Sequence, residues 1–292
     1  MTFLEHLTES ELSSLDPEKT IFIFSISPLE SYGPYLPLNL GVELALKKAK
    51  KIEDSLSDYR CIHIKAPFLG TQTFQGKFAL IQKKPLLKQW LLDTTLCLTK
   101  SQFKFFLVTT GHPTPQTLTA FEEVSKTIKR RKIGFRRSKA LLLSVDSYNI
   151  SFIESLKSPL IGSPKEHGGA LDGSLALSLK KIHENSPFQS LPSQQLPKSD
   201  VESVFRKFIK KDLTYWGSPE NTNAKQIDDF LTQWATDRID AIKVVLKTGH
   251  PKSHFRSWYS LYLPNQSYFL AWILALTILL LLFFWMKWVS HS

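Results

Sequence analysis

The chain has 292 residues, with 37 lysines and arginines against 26 aspartates and glutamates, and a formal net charge of +11. Its two cysteines, Cys61 and Cys97, exclude a disulfide framework and suit a reducing compartment. The opening MTFLEHLTESELSSLDPEKT carries acidic residues where a secretion leader would need a basic stretch and then an apolar run, so the main domain is expected in the cytoplasm.

In chain order, Thr20–Ser27 (TIFIFSIS) reads as a buried strand and Val42–Leu56 has helical spacing. A strand at Arg60–Lys65, a helix at Pro85–Ser101, a strand at Lys104–Thr109 and a helix at Gln116–Arg131 follow. A fourth strand at Ala140–Val145 precedes a helix at Leu171–Glu184. Alternating strands and helices imply right-handed crossovers and a mainly parallel sheet covered on both faces, a single α/β domain over 1–246. Sites in such sheets lie where strands end, which points to the loops Pro28–Gly41, Gly111–Gln116 and Ser163–Gly173.

Eight of the basic residues fall in KTIKRRKIGFRRSK, Lys126 to Lys139. A solvated helix end and loop, or one lying against anionic lipid headgroups, is the expected reading. Nucleic acid is set aside because no nucleic-acid-binding motif accompanies the run. The proline-, serine- and glutamine-rich stretch from Ser186 to Lys198 reads as a loop, followed by helices at Ser199–Lys211 and Asn223–Val245. A stem at 247–267 contains Trp258, Tyr259 and Tyr262 and suits a membrane interface. The apolar stretch at 268–288 is long enough to cross a bilayer as one C-terminal transmembrane helix, leaving only a short tail at 289–292. A single-pass tail anchor, with the bilayer as partner, is the expectation.

The three loops carry motifs. Pro28–Gly41, PLESYGPYLPLNLG, resembles G-x-x-E-x-H-G-P-H-L-P-L-x-T-D of the creatininase (creatinine amidohydrolase) family. Glu30, Gly33, Pro34, Leu36, Pro37 and Leu38 match; Tyr32 and Tyr35 stand where the family has histidines, and Gly41 where it has aspartate. TTGHPTP, Thr109–Pro115, is similar to N-G-H-Y-E-N, with Gly111 and His112 matching and Thr114 where some members have glutamate. EHGGALDGSL, Glu166–Leu175, resembles H-A-G-E-x-E-T-S through His167, Gly169 and Ser174, with Asp172 as a shortened glutamate. Weaker echoes at Leu7–Leu12, Phe74–Leu80 and Tyr215–Ala224 keep the family's order, and the resemblance spans about residues 7 to 245.

The resemblance implies a three-layer α/β/α fold with a two-metal centre, zinc or manganese, that hydrolyses small amides, commonly in an oligomer. Such a centre needs a carboxylate between ions about 3.5–4 Å apart. Gly41 supplies none, and the neutral phenol of Tyr32 is a poor substitute for imidazole. Glu30 and His112 remain as residual metal ligands, with help available from His167, Asp172 or Glu43. Each also has a structural reading: Glu30 as a helix cap or lysine partner, His112 as a donor to a loop carbonyl. His167 and Asp172 read as a catalytic imidazole–carboxylate pair or as a loop brace. Tyr32, Tyr35 and Thr114 would line the pocket, the two rings filling the old metal cavity.

The expectation is therefore a membrane-anchored creatininase-like protein with a degenerate two-metal site, acting as a binding or scaffolding domain. The alternative is an amidohydrolase that cleaves an amide C–N bond through a one-metal or rebuilt site. No cofactor is expected beyond a divalent zinc or manganese ion, and the expected protein partners are a homo-oligomer or an unidentified protein.

Overall fold

A computed structural model describes residues 1–71, 78–130, 132–133, 136–137, 139–149, 167–183, 185–194, 215–250, 253–262 and 269–289. The expected helix at Ser199–Lys211, and the parts of the expected loops at 163–166 and 195–198, lie outside the described residues.

Five parallel strands form the central sheet in the order β1 (Thr2–Phe3), β4 (Arg60–Lys65), β2 (Thr20–Ser25), β6 (Phe105–Thr109), β9 (Leu141–Ser144). Four are the strands read from the sequence: Arg60–Lys65 has the expected bounds, and the other three are one or two residues shorter. The edge strand β1 escaped that reading because two residues carry no period; it is held by register against Ile62 and His63. Strand order reverses beside β2, since the crossover from β2 leads to β4 on one side and the crossover from β4 leads to β6 on the other. The crevice between the loops leaving β2 and β6 is therefore the switch point of the sheet.

Alternation along the buried strands builds a core on each face. Ile21, Ile23, Phe105 and Leu107 point to one side, against α2 (Leu40–Ser55), α5 (Ala170–Ser178) and the long α6 (Ala224–Thr248). Phe22, Phe24, Phe106 and Val108 point to the other, against α3 (Lys84–Lys100) and α4 (Pro115–Arg130). Phe22 packs edge-on against Phe103 at 4.9 Å between centroids. The mainly parallel α/β sandwich expected from the sequence is present.

The helix α5 stops at Ser178, six residues before its expected end at Glu184, because Lys180 takes a left-handed conformation with φ of 55°. The helix α6 is started by the Asn223 side chain, which accepts from the Lys225 amide, and is stopped by left-handed Gly249. Two short antiparallel pairs complete the strands: β3 (Leu29–Glu30) with β5 (Ala79–Leu80), and β7 (Lys132–Ile133) with β8 (Arg136–Arg137). The second runs through the basic stretch where the sequence suggested only a helix end and loop.

The C-terminal strap returns to the domain. Ser257 donates from its backbone amide and hydroxyl to buried Glu122 of α4, at 2.9 and 2.6 Å, and α7 (Tyr259–Tyr262) packs Tyr259 on Leu118. Beyond it lies α8 (Phe269–Val289). The expected membrane anchor at 268–288 is corrected here: among the described residues no helix is long and apolar enough to cross a membrane. The expected single-pass membrane localisation falls with it.

Candidate functional site

Glu30 sits at the end of β3 with no exposed surface, and its backbone amide donates to Leu38 O at 3.1 Å. His112 follows β6 and reaches across the switch point, placing Nδ1 2.7 Å from Glu30 Oε1. The Tyr32 hydroxyl donates to the same oxygen at 3.0 Å. Glu30 thus takes neither a helix cap nor a lysine; an imidazole and a phenol converge on it. Burial pushes its carboxyl up, but the charge and hydrogen bond of His112, the charge of His167 and the Tyr32 hydroxyl outweigh burial and hold it below the usual carboxylate range. The same proximity works oppositely on Tyr32, whose phenol is pushed well up by burial, then by the charges of Glu30 and Asp172. At neutral pH the group is therefore a carboxylate facing a neutral phenol.

His167 enters from the segment before α5. Its backbone exchanges hydrogen bonds with Trp216, 3.0 and 2.8 Å, and its ring stacks on Tyr32 at 4.8 Å with Trp216 at 5.8 Å. His167 Nε2 lies 2.6 Å from Ser31 O. A carbonyl only accepts, so Nε2 carries the proton and the lone pair of the neutral ring falls on Nδ1. By the same reasoning His112 Nδ1 carries a proton toward Glu30, which leaves its lone pair on Nε2.

One ligand atom each from Glu30, His112 and His167 lie within 4.8 Å of one another. A carboxylate with two imidazoles suits a divalent ion such as zinc or manganese. Of the residues the sequence offered as ligands or helpers, the fold brings Glu30, His112 and His167 together, and Asp172 and Glu43 are not in the group. Asp172 Oδ2 accepts from the Gly168 amide at 2.7 Å, bracing the turn that presents His167. Glu43 accepts from Asn39 Nδ2 at 3.0 Å at the start of α2. Thr114 caps α4, its hydroxyl accepting from the Thr117 amide at 3.4 Å. Tyr32 is buried in the cavity, whereas Tyr35 is 47% exposed and does not fill it.

The position of Gly41 decides what else fits. A Cβ there would lie 2.3 Å from Ser27 Oγ and 2.7 Å from the Tyr32 hydroxyl. A Cβ at Gly111 would lie 1.9 Å from Gly41 O, so the loops after β2 and β6 pack backbone to backbone. Among the described residues, Ser27 Oγ and Glu30 Oε2 make no hydrogen bond.

Beneath the site lies a network that sequence reasoning missed. Lys48 Nζ bonds Asp146 Oδ1 at 2.6 Å and Thr110 O at 2.8 Å, while Asp146 Oδ2 accepts from the Thr110 amide at 2.7 Å. Both polar groups of the Thr110 backbone are thereby fixed two residues before His112. The available signal was Lys48 itself, a lysine in the apolar repeat of α2 that includes Leu44, Ala45, Ala49 and Ile52.

Comparison with solved structures agrees with this fold. A tryptophan-to-phenylalanine variant of creatininase superposes with a TM-score of 0.61 at 16% identity, covering 84% of this chain and 98% of that one. The fold is that of the creatininases. Creatininase with Mn matches at TM-score 0.56 and 15% identity, over 84% of this chain and 98% of that chain. The putative creatinine amidohydrolase of Bacteroides fragilis NCTC 9343 matches at 0.56 and 12%, over 84% and 96%. No protein-family model and no curated protein matches the sequence.

Proposed function

We propose that this creatininase-fold chain works by binding rather than by two-metal amide hydrolysis, and that its cavity holds one divalent cation at most. The observation that carries this reading is the pair of contacts at Gly41. The resemblance places a bridging carboxylate there, and Ser27 Oγ and the Tyr32 hydroxyl lie 2.3 and 2.7 Å from where that side chain would begin. The residues present do not fit a dinuclear centre, because the second cation would meet a neutral phenol and no linking carboxylate. The Tyr32 hydroxyl instead donates to Glu30 Oε1 at 3.0 Å.

The test is metal content. The full chain, stripped and then loaded with zinc or manganese, should retain one ion or none per chain by mass spectrometry of the metal, and should not open the ring of creatinine. Two ions per chain would overturn the reading.

A second reading, a one-metal amidohydrolase, is favoured by the Glu30, His112 and His167 group. In that case Glu30 and the two imidazoles would hold the ion, which would activate water when bound. Zinc-dependent turnover of an amide, lost in His112→Ala and His167→Ala, would support it over the first.

A further inference from the structure

Given the reading of this cavity as a binding site, on which the inference rests, we propose that the buried Lys48–Asp146 pair, acting through Thr110, positions His112 against Glu30. A continuous chain of hydrogen bonds leads from the pair to the imidazole. Lys48 Nζ donates to Thr110 O at 2.8 Å, and Asp146 Oδ2 accepts from the Thr110 amide at 2.7 Å. The Thr110 hydroxyl accepts from the His112 amide at 3.1 Å, and the Thr114 amide donates to His112 O at 2.8 Å. Both backbone polar groups of His112 are thereby engaged, and its Nδ1 faces Glu30 Oε1 at 2.7 Å.

Helix α2 grips the chain at three successive residues before His112. Gly41, Ala45 and Lys48 recur at i, i+4 and i+7, which places them on one face of the helix. Ala45 O accepts from the Thr109 hydroxyl at 3.0 Å, Lys48 takes Thr110 O, and Gly111 has no room for a Cβ because Gly41 O would lie 1.9 Å from it. Asp146 is held in turn by its own neighbours, in the single turn Val145–Ser147 that follows β9. Arg238 of α6 donates to Val145 O at 3.3 Å, and the Ser147 hydroxyl donates to Glu122 at 2.7 Å. The residues leading to His112 are therefore fixed between α2 and the segment after β9.

Stability alone does not account for the pair. Burying a lysine and an aspartate costs desolvation that their attraction barely offsets, and apolar side chains of similar volume are often as stable or more so. Apolar side chains cannot hold the amide and the carbonyl of one residue in fixed directions, which is what Lys48 and Asp146 do at Thr110. Released at Thr110, the chain would let the imidazole turn away from Glu30, since the two meet only across the switch point. Partners one step behind a metal ligand commonly change affinity by about 10–100-fold.

The test uses the metal-stripped full chain and proton NMR of the His112 imidazole, assigned with His112→Asn. The wild type should show a slowly exchanging Nδ1 proton held by Glu30. Thr110→Val replaces by a methyl only the hydroxyl that accepts from His112, and it should lose that proton while circular dichroism shows a folded chain. Lys48→Met combined with Asp146→Leu should lose it too, and Thr110→Ser should keep it. Zinc affinity, read by calorimetry, should fall about tenfold or more in the variants that lose the proton. Folded variants that keep the proton and the affinity, or a wild type without the proton, would overturn the proposal. Should the double variant fail to fold, the comparison of Thr110→Val with Thr110→Ser decides alone. Two zinc ions per wild-type chain, with the proton lost in the variants, would overturn the binding reading and leave this proposal standing.

Discussion

The Tyr32 hydroxyl lies 2.7 Å from the point where a side chain at Gly41 would begin, so the two positions are coupled: a larger residue at one requires a different residue at the other. A Gly41→Asp substitution alone should cost about 3 kcal/mol, because it overpacks the cavity and buries a second carboxylate near Glu30. Combined with Tyr32→His it should recover part of that loss and raise zinc retention above that of the wild type. Urea denaturation and metal analysis of the three variants check this.

Removing the carboxylate that the cluster converges on should be costly. Glu30→Ala leaves His112 and the Tyr32 hydroxyl without their shared acceptor in a buried site and should destabilise the fold by about 3 kcal/mol. Glu30→Gln should cost less, since the amide oxygen still accepts from Tyr32. Thermal melts of the two variants give the comparison.

Lys48 and Asp146 form an ion pair in which each side chain is almost wholly buried. Lys48→Met or Asp146→Asn alone should cost about 3–5 kcal/mol, because one charge is left without its partner. The double substitution should cost less than the sum, a coupling that a double-mutant cycle measures. Burial depresses the Lys48 ammonium, an effect that Asp146 opposes.

Glu122 gives the pH dependence. Burial raises its carboxyl above the ordinary value, against the hydrogen bonds from Ser257 and Ser147. Between the unfolded and the raised folded pKa, the folded state binds more protons than the unfolded state, so this contribution to stability falls as pH rises. The stability of the wild type relative to Glu122→Gln should therefore decline from acid toward neutral pH across that window. Denaturant titrations at a series of pH values test the sign.

Much of the frame was legible along the chain. Thr20–Ser25 and Phe105–Thr109 declare buried parallel strands through continuous apolar runs, and the loops following them follow from the strand ends. Glu30, Tyr32 and His112 were named as site residues through the creatininase resemblance that their loops carry. Lys48 and Asp146 were not, because 98 residues separate them and neither forms a local motif. Trp216 was missed for the same reason: its backbone bridge to His167 is a contact that no period encodes. The expectation of a bilayer-crossing helix at 268–288 rested on composition alone, and among the described residues no helix is long and apolar enough to cross a membrane.

By itself, the amino-acid order determined the alternation of strand and helix and the residues available at the strand ends, since periodicity is a local property of the backbone. It also established that glycine and tyrosine stand where the creatininase motif has an aspartate and a histidine. Only the tertiary structure decided what those replacements mean. Packing brings Ser27 and Tyr32 against Gly41, and Glu30 against His112 and His167, because loops from distant strands meet at one sheet edge. Whether a cavity can accept a carboxylate or an ion depends on distances across that edge.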